Sequence, residues 1–146
     1  MMSLPRVTIY TDGGCDPNPG RGGWAAVIIT DGKTTELSGF DPDSTNNRME
    51  LTAAIRALKS LKEPSQVELH TDSQYLQKGI TEWMAGWLRK NWRGSNGPVL
   101  NQDLWKELLA AEKPHEVTWK WVRGHAGNRF NARADALVHQ ARNKRS

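Results

Sequence analysis

Val7-Thr8-Ile9-Tyr10-Thr11-Asp12-Gly13-Gly14 alternates β-branched and aromatic residues, then stops at a carboxylate followed by two glycines. Such a run predicts a strand that delivers an acid to a turn. The same design recurs at Val67-Glu68-Leu69-His70-Thr71-Asp72-Ser73. Each Thr-Asp end, taken singly, is also compatible with an ordinary Asx turn. Two strand-end aspartates in one small domain instead suggest a shared site, because ligands of open α/β sheets lie beyond the carboxyl ends of the strands.

Working outward, Cys15-Asp16-Pro17-Asn18-Pro19-Gly20-Arg21-Gly22-Gly23 reads as a turn-rich loop. Residues 24–30 read as a largely buried strand, Asp31-Gly32 as a hairpin turn, and residues 34–40 as the returning strand. The first third is therefore an antiparallel meander. From Thr45 the period changes. Leu51, Ala54, Ile55, Leu58 and Leu61 mark one face of a helix that Pro64 closes, with Thr45, Asn46 or Asn47 as its N-cap. Glu50 then falls in or just after the first turn, and Ala53, Ala54 and Ala57 on its face would let the helix lie close to a sheet. The strand over 67–72 follows, and a strand-helix-strand order implies a right-handed crossover to a parallel neighbour. The two Thr-Asp ends then point the same way.

Ser73 can cap a short helix through Ile80, residues 81–88 read as another, and 93–98 as an exposed loop. A helix over about 101–112, stopped by Pro114, precedes a strand over 115–122 and a glycine-hinged loop, Arg123-Gly124-His125-Ala126-Gly127-Asn128. A last helix from Asn131 to about Arg142 carries Asp135. The order is βββαβα(α)αβα in one unit, a mixed sheet with helices packed against it.

The chain's 146 residues fit one domain, able to bury roughly two thirds of its unfolded surface. Cys15 is the lone cysteine, so no intramolecular disulfide forms and nothing argues for an oxidising compartment. The expected location is the cytoplasm. No apolar run suits a signal core or a membrane span. A formal charge of +4 favours a polyanionic partner only weakly, but Lys78, Arg89, Lys90 and Arg93 cluster against Glu82, and the chain carries 7 tryptophans.

Asp12, Glu50, Asp72 and Asp135 thus converge without an apolar explanation. Two unit charges ~4 Å apart repel by roughly 4 kcal/mol at an effective dielectric near 20, so such a cluster needs a cation or must protonate. Oxygen ligands without a Cys or His cluster suit Mg²⁺ or Mn²⁺ and argue against zinc. Two such ions would hold the attacking and leaving oxygens of a phosphodiester displacement, which predicts a nuclease.

Tyr-Thr-Asp-Gly-Gly at 10–14, Thr-Asn-Asn-Arg-Met-Glu-Leu at 45–51, Thr-Asp-Ser-Gln at 71–74 and Gly-His-Ala-Gly at 124–127, followed by Asn131 and Asp135, together resemble type 1 ribonuclease H of bacteria. The resemblance runs from about Val7 to His139. It implies an α/β fold with a mixed five-stranded sheet, an antiparallel β1-β3 meander plus parallel strands, and helices on both faces. It also implies a single domain over 1–146 without a hybrid-binding extension, acting as a monomer and not on membranes. The implied reaction is endonucleolytic hydrolysis of the RNA strand of an RNA–DNA hybrid, leaving a 5′-phosphate and a 3′-hydroxyl. Carried over residue by residue, Asp12, Glu50, Asp72 and Asp135 would hold two Mg²⁺ ions, with Mn²⁺ as a possible substitute. One ion would activate water and the other stabilise the departing 3′-oxygen. His125 would carry a proton or help release product.

The segment around Trp83, Trp87 and Trp92 with Arg89, Lys90 and Arg93 resembles the family's basic protrusion, which faces the DNA strand. The i, i+4 spacing of Trp83 and Trp87 equally suits core packing. By resemblance, Asn18, Thr45, Asn46, Asn47, Ser73 and Gln74, with Gly13, Gly14 and Cys15, lie in the groove near the metals. Gly13 and Gly14 would let the RNA backbone approach Asp12. Arg48 suits either the groove or a pairing with a neighbouring acid. Two departures stand out: the protrusion is less lysine-rich than in some relatives, and Asp43 adds an acid close to the expected phosphate grip. The competing readings are a non-catalytic hybrid-binding module and a DNA resolvase or transposase on the same fold.

Overall fold

The computed structural model describes residues 4–123 and 128–143. The opening run forms β1 (Arg6–Cys15), which hairpins into β2 (Gly20–Thr30) and on into β3 (Lys33–Ser44). Helix α1 (Asn46–Lys59) leads to β4 (Gln66–Thr71). Helices α2 (Gln74–Lys78) and α3 (Met84–Arg89) flank one wide π turn at Gly79–Trp83. A short ribbon of β5 (Arg93–Gly94) and β6 (Gly97–Pro98) precedes α4 (Gln102–Glu112), β7 (Glu116–Trp121) and α5 (Arg129–Asn143). The main sheet has five strands in the order β3-β2-β1-β4-β7. The β1–β2 and β2–β3 pairs are antiparallel, while β1–β4 and β4–β7 are parallel. The expected mixed sheet is present, and β1 is its centre.

Alternation along β1 builds two cores. Val7 and Ile9 join Val67 and Leu69 on one face, where Leu51, Ala54, Ile55 and Leu58 of α1 and Trp105 and Leu108 of α4 cover them. Tyr10, with Ala25 and Val27, faces the other way against Ala134, Leu137 and Val138 of α5. Helices therefore occupy both faces. Ala53, Ala54 and Ala57 are fully buried, as small residues on a helix laid close to strands should be. Among the described residues, no helix is long and apolar enough to cross a membrane.

Several boundaries differ from the sequence reading. The expected loop over 15–23 shrinks to residues 16–19, because Gly13, Gly14 and Cys15 pair with Trp24, Gly23 and Gly22 as strand. Two of those glycines serve close packing rather than turns. A Cβ at Gly13 would lie 2.6 Å from the Met49 carbonyl oxygen, and one at Gly23 would lie 2.6 Å from that of Val138. α1 and α5 thus touch the hairpin backbone directly, from opposite faces. α1 stops at Lys59, before Pro64, although Leu61 still packs on the core. The expected helix over 81–88 begins as the π turn, whose first residue, Gly79, sits under the fully buried Trp105. The expected loop over 93–98 is the β5–β6 ribbon.

Candidate active site

Parallel pairing aligns Thr11 with Thr71, so Asp12 and Asp72 follow side by side at the carboxyl edge of the sheet. Glu50 reaches them because α1 starts beside that edge. The Thr45 hydroxyl caps the helix by accepting from the Arg48 N–H at 3.2 Å, which settles the choice among Thr45, Asn46 and Asn47. Glu50 then falls just past the first turn, and the bare Gly13 brings that turn onto β1. Ligand oxygens of Asp12, Glu50 and Asp72 all lie within 4.8 Å of one another. Asp135 approaches from α5, within hydrogen-bonding reach of the Asp12 carboxyl.

The electrostatics are those of carboxylates crowded together under burial. Asp12 and Glu50 are buried, and among the described residues Glu50 Oε1 has no hydrogen-bond partner. Burial, with the charge of Asp72 next and that of Asp135 adding to it, pushes the Asp12 carboxyl up to about 8, although the Gly13 N–H donates to its Oδ1 at 2.9 Å. Burial, then Asp12 and Asp72, hold the Glu50 carboxyl well above the usual range. A buried acid without a donor is costly unless something positive meets it. Oxygen donors alone, on rigid elements, fit a hard divalent cation.

The residues expected at the groove divide. The Asn46 Oδ1 accepts from the Cys15 N–H at 2.7 Å, and the Asn18 Oδ1 accepts from the Asn46 N–H at 3.0 Å, clasping the β1–β2 turn to the start of α1. Asn47 and Gln74 are exposed at the ends of α1 and α2. Ser73 is buried and its hydroxyl caps α2, accepting from the Leu76 N–H at 3.0 Å, so that side chain is occupied internally. Gly13 faces α1 rather than an approaching ligand, a correction to the reason inferred from sequence. Gly14 alone of that pair remains open. Arg48 pairs with an acid, its guanidinium forking onto Asp103 at 2.8 and 3.0 Å. His125 lies outside the described residues, as does the rest of segment 124–127.

The protrusion is a row of tilted and edge-on rings. Trp83 lies 6.0 Å from both Tyr75 and Trp87, and Trp87 lies 5.2 Å from Trp105 and 6.2 Å from Trp92. Trp87 and Trp92 are half-buried against the core, whereas Trp83 is 39% exposed beside the exposed Arg89, Lys90 and Arg93. Two features escaped the sequence reading. The Tyr75 hydroxyl accepts from Asn101 and from Trp105, both at 3.1 Å, tying the protrusion to α4. His139 Nε2 lies 3.6 Å from Asp135 Oδ1, and its i, i+4 spacing was the signal available to find it.

A family model for RNase H matches residues 5–143. Ribonuclease H of Granulibacter bethesdensis is 60% identical over 137 residues, covering 93% of this chain and 91% of that protein. The structure of LC9-RNase H1, a type 1 RNase H with the type 2 active-site motif, matches with a TM-score of 0.86 at 30% identity, over 97% of this chain and 74% of that one. LC11-RNase H1, solved in complex with an RNA/DNA hybrid, matches with a TM-score of 0.71 at 27% identity, over 92% of this chain and 95% of that one.

Proposed function

This chain belongs to the ribonuclease H family, and from that premise we propose that it is a divalent-metal-dependent endonuclease that hydrolyses the RNA strand of RNA–DNA hybrids. The observation that carries this reading is the buried, unpartnered Glu50 carboxylate oxygen gathered with Asp12 and Asp72 within 4.8 Å. Water attacks phosphorus, the bond to the 3′-oxygen breaks, and the products carry a 5′-phosphate and a 3′-hydroxyl. Two Mg²⁺ ions, with Mn²⁺ as substitute, would supply Lewis acidity and charge compensation for the attacking and departing oxygens. Asp12, Glu50, Asp72 and Asp135 would be their ligands.

The remaining work falls to the chain's own groups. α1 and β1, locked together at Gly13, hold Glu50 and Asp12 at a fixed separation, so little reorganisation is left for the moment of reaction. Gly14, Cys15, Asn18, Asn46, Asn47 and Gln74 would meet the groove of the hybrid, where the 2′-hydroxyl distinguishes its strands. Thr45 and Ser73 act there through the helix ends they cap. Trp83, with Arg89, Lys90 and Arg93, would contact the DNA strand, and Trp92 would buttress them. His125 would carry a proton or speed product release. The unit spanning 5–143 would act as one domain and as a monomer in the cytoplasm; light scattering at the mass of a dimer would contradict the latter.

The deciding experiment incubates the protein with hybrid, duplex RNA and duplex DNA, with and without Mg²⁺. The expected result is scission of the RNA strand of the hybrid alone, and only with the ion. Binding of hybrid without scission would leave only a binding module, and cutting of duplex DNA would move the chain to another reaction.

A further inference from the structure

Gly13 and Gly23 are glycines because neighbouring backbone leaves no room for a side chain. Gly14 has no such reason. Its φ lies outside the left-handed region, and a Cβ there would meet only Asn46 Oδ1 at 3.5 Å and Arg142 Nη1 at 3.9 Å, ordinary contacts. Two residues beyond Asp12 on the same strand, it shares the face of that acid. The internal packing therefore leaves a strip of bare backbone open beside the carboxylates, bracketed by an amide and a guanidinium.

Resting on the hybrid substrate proposed above, we infer that Arg142 grips a backbone phosphate of the hybrid over Gly14, at the rim of the acid cluster. Asp135, His139 and Arg142 stand at i, i+4 and i+7 on α5 and so share one face. Arg142 Nη2 donates to His139 Nδ1 at 2.7 Å. A guanidinium has no acceptor, so Arg142 is the donor in that contact, and the ring is held between Arg142 and Asp135. The Arg142 carbonyl accepts from Arg21 Nε at 2.6 Å. Main chain and side chain are both fixed before substrate arrives, which lowers the entropic cost of a contact. The Asn46 Oδ1 is taken by the Cys15 N–H, and among the described residues its Nδ2 donates to none, which leaves those donors for an anion on the other side of Gly14.

Arg142 lies seven positions along α5 from Asp135, about 10 Å at ~1.5 Å per residue, which places it outside the acid cluster but close enough to meet the same strand. Asp41 and Asp43 act on the Cys15 thiol together with Arg142, so Arg142 stands beside acids on this rim, with Arg21 next to it.

Fluorescence anisotropy with a labelled RNA–DNA hybrid, in EDTA so that no cleavage occurs, tests this across ~50–200 mM salt. Losing one phosphate contact should weaken binding by Arg142→Ala about fivefold near ~0.15 M salt and reduce the salt slope by about one. Arg142→Lys should keep most of that slope. Gly14→Ala should weaken binding at an unchanged slope and unchanged melting temperature. Parent-like affinity and slope in Arg142→Ala would overturn the inference. So would weakening at the parent slope accompanied by loss of Mn²⁺ affinity, which would mean that Arg142 acts through His139 on Asp135. If the parent fails to cut hybrid in Mg²⁺, the proposed function fails; if it cuts and Arg142→Ala binds as the parent does, this contact alone fails.

Discussion

The carboxylate end of the sheet and the aromatic protrusion are built on opposite principles. At the acids, backbone meets backbone: α1 lies on Gly13 and α5 on Gly23, and Asp12 and Glu50 are buried beside other carboxylates. In the protrusion, side chain meets side chain: Tyr75, Trp83, Trp87, Trp92 and Trp105 form a graded row from full burial to exposure. The first arrangement sacrifices stability to fix the positions of reacting groups. The second leaves a graded aromatic surface, at little cost to the fold. Chemistry at one phosphorus atom needs a fixed constellation, whereas a nucleic-acid backbone can be held by several weak, salt-sensitive contacts.

The sharpest way to break this contrast is Asp12→Asn. Activity on hybrid should fall by about 10³-fold or more, some 4 kcal/mol of transition-state stabilisation, while melting of the metal-free protein in EDTA stays level or rises because repulsion is relieved. A wild-type cleavage rate in this variant would end the metal-ligand assignment. Next in size, Trp105→Ala should destabilise the fold by about 3–5 kcal/mol in denaturant titration, because it empties a fully buried site over Gly79. Gly13→Ala should cost about 1–3 kcal/mol through overpacking against Met49. Gly14→Ala should change stability by less than about 0.5 kcal/mol, and equal losses at the two glycines would erase the distinction between them.

The pH response separates the regions without mutation. Asp12 titrates at about 8 in the folded protein and near 3.8 otherwise, so the folded state holds the extra proton between those values. Stability of the metal-free protein should therefore be greatest near the lower value and fall as pH rises toward the upper one, and Glu50 contributes in the same direction. Stabilisation by added Mg²⁺ should grow over the same range; calorimetric scans from about pH 4 to about pH 8 check both. A modest effect on binding belongs to the protrusion. Trp83→Ala should weaken hybrid binding by roughly 1 kcal/mol, or about fivefold, with melting nearly unchanged, and a large drop in stability would place Trp83 in the core.

Much of this was legible in the residues, for identifiable reasons. A period of two closing on Thr-Asp placed both aspartates on strands, and the intervening helix implied that the two run parallel; the register of Thr11 with Thr71 came from the sheet. The helix period located Glu50, and its alanines announced close packing. Arg48 was legible only as two alternatives, decided when α4 brought Asp103 within 2.8 Å. Gly13, Gly14 and Gly23 looked alike in sequence. Whether a glycine serves a turn, a touching helix or an open seat depends on atoms remote in the chain. For the same reason, the sequence showed Trp87 and Trp92 without showing how deeply each would sink.

By itself, then, the sequence determined the kind of chemistry: four acids at strand ends and helix positions, with oxygen donors alone, beside a basic aromatic segment. Local periodicity sets which way a side chain points, and that suffices to predict convergence. Tertiary structure alone decided how tightly the acids converge, which glycines are bare because a helix lies on them, and that Arg142 stands beside Gly14. Those are properties of distances between elements. They follow from how closely α1 and α5 can approach β1 and β2, a balance of packing and backbone contact that no single stretch of residues encodes.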